Sequence, residues 1–312
     1  MTEAHALAAA FAAMARLDEY TRHFRNPEIA RAWFARSETL AVMQASEGEL
    51  LQETTLCHLL IDDLYELSTL KQRLAPCIHS AILRSIAGPD NEEDPLDWIA
   101  GVWGESESSN RHRDVGAAQW RHEASVHEIL APIRSALSTP TPEVVAECIR
   151  QIWVGNAFDG RGKRMALLLA PFLIRRAFKS PLAQCGLARA LARDADHTNE
   201  AVEDAEAWLL HFYAAVEESA VRAYEALNTL ARVKADLSAL LPRERGTSRS
   251  GPTIELFLQR PIQTAQDIAG AIGSSDFGAR LIIDKLIKAG VITPLDGSRQ
   301  NRSYICRKAM AA

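Results

Sequence analysis

Residues 153–176, WVGNAFDGRGKRMALLLAPFLIRR, constrain the fold of this chain more than any other stretch. A glycine-punctuated polar loop opens directly into the most apolar helix of the sequence. From Met165 to Ile174 apolar residues fall on every side, the pattern of a helix buried all round by other helices. In the loop, Gly160 and Gly162 alternate with Asp159, Arg161 and Lys163. Backbone N–H groups can then converge beside the positive end of the helix dipole, which favours an anion such as phosphate. Gly160, Gly162, Lys163 and Arg164 are therefore the candidates for holding a nucleotide or phosphate. A Walker-type phosphate loop is excluded: Ala157 stands where its first glycine is needed, and Arg164 replaces the hydroxyl residue after the lysine.

At 312 residues and 47% hydrophobic, the chain can bury one large core and a second small one. No stretch reaches the ~18 uninterrupted apolar residues of a membrane span. The Ala-rich start, AHALAAAFAAMARL, lacks the basic leading region of a signal peptide and runs on into polar helix. A cytoplasmic protein without a membrane partner is the expectation. Cys57, Cys77, Cys148, Cys185 and Cys306 are odd in number and never form a CxxC pair, which points to reduced core thiols and no metal site. No cofactor is expected beyond residual nucleotide or phosphate at the loop. The net charge of −5 conceals an asymmetry. From Arg243 onward eleven Lys and Arg face six Asp and Glu, a balance of +5; before it 24 face 34, a balance of −10. The basic C-terminal part is the candidate nucleic-acid face.

Taken in order, residues 4–35 read as two short helices broken at Asn26-Pro27. Residues 37–75 are Leu-rich at helical spacing, interrupted only at Glu47-Gly48-Glu49, and 76–87 read as a further helix. Residues 88–110 are acidic and rich in Gly, Pro and Ser, and read as a surface loop pinned by Trp98 and Trp103, with a flap over a ligand site as the alternative. His122 to His127 is one residue too long for a zinc-protease motif, leaving the histidines about 140° apart around a helix. Thr141 caps and Pro142 opens a helix whose apolar face is Val144, Val145, Cys148, Ile149, Ile152 and Trp153. After a break at Ser180-Pro181, residues 200–240 form one long amphipathic run. Its alternative reading is a coiled-coil stem for a homodimer.

Residues 243–252 are a basic linker. Beyond it come a helix over 253–258, a brief strand at Ile262, a helix from Ala265 to Ile272 capped by Thr264, a turn at Gly273, and a helix from Asp276 to Ala289. A hairpin of 291–294 with 303–306 follows. This is the order of a winged helix-turn-helix domain, with Ile268, Ala269, Ala279, Ile282, Leu286 and Ile292 facing its core. Such a domain sets its second helix in the major groove. The DNA-contacting candidates are Ser275, Phe277, Arg280 and Lys285 on that helix, and Arg299, Asn301 and Arg302 on the wing.

Asn156-Ala157-Phe158-Asp159-Gly160-Arg161-Gly162-Lys163 resembles, one residue short, the Fic signature His-Pro-Phe-x-Asp-Gly-Asn-Gly-Arg-x-x-Arg, which also precedes a Leu-rich helix. The resemblance extends from about Trp33 to Tyr304, since Fic proteins often carry a C-terminal winged helix ending in a strand like Gln300-Asn301-Arg302-Ser303-Tyr304. The chain also looks like a rhizobial helix-turn-helix family of unknown function with a Fic-like body. The family transfers AMP onto protein hydroxyls, with the motif histidine as general base. Here Asn156 or Gly155 stands in its place, and neither accepts a proton at neutral pH. Asp159 matches the metal-binding acid, Lys163 the first arginine, and Ala166 the second, with Arg164 two residues early. Glu47-Gly48 resembles the end of a family segment whose glutamate obstructs the nucleotide site, with Met43 where Ser or Thr is expected. A turn between helices is the reading taken. The sequence therefore implies a mainly α protein: a Fic-like helical domain over 1–242 with no catalytic residues in its degenerate motif, joined to a winged helix over 253–312. The function implied is DNA-binding transcriptional regulation, with the Fic-like body for ligand or partner binding or dimerisation. The alternatives are an AMP-transferring enzyme working through Asp159 and Lys163, and an adaptor whose body binds a partner protein.

Overall fold

A computed structural model describes residues 2–61, 69, 72–89, 95–107, 124–155, 158, 160–241, 249–295 and 302–311. Helix dominates it. The helices α1 (Glu3–His23) and α2 (Pro27–Glu47) are separated at Asn26-Pro27, as the proline dictates, since it disfavours helix at Asn26 and is suited to a first turn. Each runs for 21 residues, so α2 continues through residues 35–37, where the sequence suggested a boundary. Gly48, at φ +66°, follows the end of α2. The short α3 (Glu53–Leu60) comes next.

The helix α4 (Ala75–Ala87) ends at Gly88, whose φ is +80° and which lies against the Phe172 ring, leaving no room for a Cβ. After it the structure corrects the sequence reading. Residues 95–107 of the expected surface loop 88–110 form a helix, α5 (Pro95–Glu107), in which Trp98, Ile99, Val102 and Trp103 are buried. The reason is spacing: these residues fall at i, i+1, i+4 and i+5 and make one apolar face, while the acids that coloured the composition are largely off it. Residues 90–94 and 108–110, where a flap was considered, lie outside the described residues.

The helix α6 (Ala124–Ser138) leads to α7 (Pro142–Val154), whose cap is as expected: the Thr141 side chain accepts the Val144 N–H. Val145, Cys148, Ile149 and Ile152 are buried, with Val144 and Trp153 half-buried at the edges of that face. The helix α8 (Gly162–Ala177) is buried on every side from Arg164 to Ile174 and packs against α4, α5 and α7. Then α9 (Ala188–Arg193), α10 (Ala195–Glu203) and the 35-residue α11 (Ala205–Ala239) follow. Trp208, Phe212 and Tyr213 of α11 are buried, and the Trp208 indole donates to the Ala146 carbonyl at 2.7 Å, so its first half is part of a core rather than a coiled-coil seam.

Two compact units result: residues 1–23, 34–52 and 65–224, and residues 24–33, 53–64 and 225–312. The second contains α12 (Ser250–Gln259), β1 (Ile262–Thr264), α13 (Ala265–Ala271), α14 (Asp276–Lys288), β2 (Thr293–Pro294), β3 (Ser303–Ile305) and α15 (Arg307–Met310). The strands form one antiparallel sheet in the order β1-β3-β2, with Ile262 opposite Ile305 and Thr293 opposite Ile305 on the other side. Thr264 and Asp267 close a capping box at the start of α13. On α14 the buried residues are Ala279, Ile283 and Leu286. Ile283, not the expected Ile282, completes the i, i+4, i+7 stripe, and Ile282 is half-buried on its flank. Cys57 of α3 joins Ile262 and Ile305 in a small apolar cluster, so a helix from the first quarter of the chain helps cover the sheet.

All five cysteines are free thiols; Cys77 is half-buried and the others buried. Among the described residues no helix is long and apolar enough to cross a membrane.

Candidate functional site

In the first unit the Gly-rich loop is held by packing at both ends. Phe158 is buried with its ring centroid 5.0 Å from that of Trp103 on α5. Gly160 is exposed at φ +74°, a left-handed conformation that a side chain would strain. Gly162 is buried, and a Cβ there would lie 2.2 Å from the Ile152 carbonyl oxygen and 2.9 Å from that of Gly155. Only glycine lets α8 begin this close to the end of α7. The same carbonyls crowd the start of α8 with negative partial charge, which opposes an anion there.

The loop's cations are engaged. Arg164 is 4% exposed, and its Nε and Nη2 lie 2.8 and 2.6 Å from Oε1 of Glu47 at the end of α2. The residue read as part of a turn thus forms a charge-assisted pair with a partner 117 positions away. Lys163 places its Nζ 4.9 Å from the centroid of the Trp153 ring, and burial lowers its pKa. Burial, followed by the neighbouring Arg164, lowers that of Arg161. The positions of chemical interest, Asn156 and Asp159, lie outside the described residues, as do Arg299 and Asn301 of the hairpin and His122.

A second buried charge of this unit was not singled out from the sequence. Glu38 of α2 accepts the Ala188 N–H at 3.1 Å, and its carboxylate occupies the space a Cβ on Gly186 would take. Burial pushes its pKa up to about 7 against the lowering effect of the Ala188 and Leu187 backbone donors. The carboxyl caps the turn into α9, and its nearness adds to the burial that raises the Cys185 thiol. Among the described residues no group of three His, Cys, Asp or Glu side chains is placed to hold a metal ion.

The second unit contains a cavity of about 760 Å³ between α13, α14, the start of β3 and the end of α3. Arg260 just after α12, Arg280 on α14 and Arg302 just before β3 line it. All three are exposed, and none of their guanidinium groups makes a hydrogen bond or ion pair with another described residue. Thr264 and Tyr304 add hydroxyls, and Leu60, Ile61 and Ile283 form the apolar wall. Of the three carboxylates on the cavity, Asp267 is tied into the Thr264 capping box, whereas Asp276 and Asp284 stand open along α14.

The structure thus brings Arg280 and Arg302 to one cavity, whose lining does not include Ser275, Phe277 or Lys285. Ser275 is the N-cap of α14, its Oγ accepting the Gly278 N–H at 3.2 Å. Phe277 is 73% exposed, and Lys285 is half-buried. Sequence reasoning missed Arg260, Asp276 and Asp284 on the cavity and Leu281, which is 56% exposed beside Phe277. Leu281 had a signal, since it lies four residues after Phe277 and off the core stripe. Arg260 had none, because only folding brings it to α14. Comparison with known proteins finds neither a matching family model nor a similar curated protein.

Proposed function

We propose that the chain is a DNA-binding protein acting in transcriptional regulation. In this reading residues 253–312 are a winged helix-turn-helix domain, α14 enters the major groove, and the β2–β3 hairpin is the wing. The observation that carries it is the cavity lined by Arg260, Arg280 and Arg302, whose guanidinium groups have no partner among the described residues. A concave surface between a helix and the base of a hairpin suits a phosphodiester backbone, whose charge supplies the missing partners. The +5 balance of the chain after residue 242 acts in the same sense.

The body is read as Fic-like and degenerate. Supporting this are the buried α8 opened by a glycine loop and the Glu47 at a helix end, followed by Gly48 and paired to Arg164. Asn156 cannot replace a histidine base, so the body serves as a scaffold for ligand or partner binding or dimerisation, not in AMP transfer.

The test is the salt dependence of duplex binding by the full chain. A logarithmic slope of about −0.9 per phosphate contacted is expected, and each of Arg280→Ala and Arg302→Ala should weaken binding; a slope near zero contradicts the reading.

A further inference from the structure

We infer that the arginine-lined cavity of the second unit is also a binding site for a free nucleoside monophosphate whose base carries an amino group. The inference goes beyond the DNA-binding reading and concerns the regulation of the same cavity. It starts from the part of the lining that a phosphodiester backbone leaves unused. Asp276 and Asp284 lie on the cavity one turn before and one turn after Arg280 on α14. That spacing puts an ion pair within reach, yet neither carboxylate pairs with Arg280 or with any other described residue. Backbone phosphate supplies acceptors for the arginines and no donor for these aspartates. The occupant that satisfies both sets carries an anion and N–H donors on one molecule.

The rest of the lining narrows its class. At about 760 Å³ the cavity is in the range of small-molecule sites. A free amino acid has both charges but leaves most of that volume empty. Leu60, Ile61 and Ile283 form an apolar wall, and the Tyr304 ring is on the lining with them. Apolar and aromatic groups against the plane, with polar groups against the edge, are the surroundings in which proteins hold an unstacked base. Gln266, exposed and with its amide unbonded among the described residues, adds a further donor and acceptor.

Each end of a nucleotide then has its partners. Arg260, Arg280 and Arg302 offer the planar N–H forks that phosphate takes bidentately. The amino group of adenine, cytosine or guanine donates to a carboxylate such as Asp276 or Asp284, whereas uracil presents a carbonyl instead. A nucleotide held in this way occupies the arginines that a DNA backbone would use, so the two occupants exclude each other and the nucleotide regulates DNA binding.

The test is calorimetric titration of the full-length chain with AMP, CMP, GMP, UMP and inorganic phosphate. The tightest of AMP, CMP and GMP should bind about tenfold or more tightly than UMP or phosphate, the effect of one hydrogen bond to a charged group. Arg260→Ala/Arg302→Ala, with unchanged thermal melting, should lose nucleotide binding. Asp276→Ala/Asp284→Ala should bring the preferred nucleotide down to the level of UMP. Equal binding of UMP, or no binding of any nucleotide, overturns the inference, and salt-dependent duplex binding then still stands. Undiminished binding by the arginine variant places the nucleotide elsewhere and also overturns it. A duplex that stays bound at saturating nucleotide overturns the shared occupancy. Nucleotide binding that passes both variants in a chain that binds no duplex supports the nucleotide site and overturns the DNA-binding reading.

Discussion

Arg164 and Arg280 carry the same guanidinium in opposite circumstances. Arg164 is 4% exposed and bound to the Glu47 carboxylate, while Lys163 beside it lies over the Trp153 ring. Arg280 is exposed, shares a cavity with Arg260 and Arg302, and has no partner among the described residues. A buried cation with its counter-charge is a structural element whose loss is felt by the fold. An exposed one without a partner contributes little to the fold and remains available to a ligand. The Gly-rich loop, the more conspicuous feature in the sequence, is therefore the more closed of the two regions.

That contrast can be broken most directly at Glu47. Glu47→Ala leaves the Arg164 guanidinium buried without its carboxylate and should cost about 3–5 kcal/mol in urea unfolding. Replacing Glu47 and Arg164 together by leucine should recover most of it, and neither change should move DNA affinity by more than about twofold.

Glu38 gives the next largest effect, and it depends on pH. Its folded pKa of about 7 lies above the ordinary 4.5, so between these values the folded state binds more protons than the unfolded one. Stability from this group is then full below pH 4.5 and falls as pH rises to 7, by an amount on the order of 3 kcal/mol. Melting temperatures of Glu38→Gln and wild type should diverge over that window, with the variant relatively more stable at pH 8. A constant difference would show that burial does not hold the carboxyl protonated.

In the second unit the effects should fall on binding. Arg280→Ala is expected to lower DNA affinity by about 1–3 kcal/mol, and Arg302→Ala to reduce the logarithmic salt slope by about one. Their unfolding midpoints should stay within about 0.5 kcal/mol of wild type in energy, as for other surface changes. Loss of stability in either variant would place these arginines with Arg164. The smallest effect is expected at Lys163→Met, about 0.5–1 kcal/mol, from the half-buried cation above Trp153.

Local chemistry was legible in the sequence wherever one element decided it. Apolar residues on all sides of 165–174 indicated a buried helix, and Thr141 and Thr264 marked helix starts by their side-chain oxygens. Composition misled where it outweighed spacing: acids and glycines between 88 and 110 obscured the apolar face of Trp98, Ile99, Val102 and Trp103. On α14, adjacent isoleucines at 282 and 283 left the core position ambiguous until Ala279 and Leu286 fixed the stripe. What no local pattern carries is pairing at a distance. Glu47 with Arg164, Cys57 with the sheet, and Arg260 with Arg280 all meet only through the fold.

The central claim is that the open arginines of the second unit, not the closed loop of the first, are the working cations. It is tested most directly by selecting genomic DNA fragments with the full-length protein and with Arg280→Ala/Arg302→Ala at two salt concentrations. The account predicts a shared motif enriched by wild type, weaker at the higher salt and lost in the variant. Enrichment of the same motif by the variant, or of none by wild type, would contradict it.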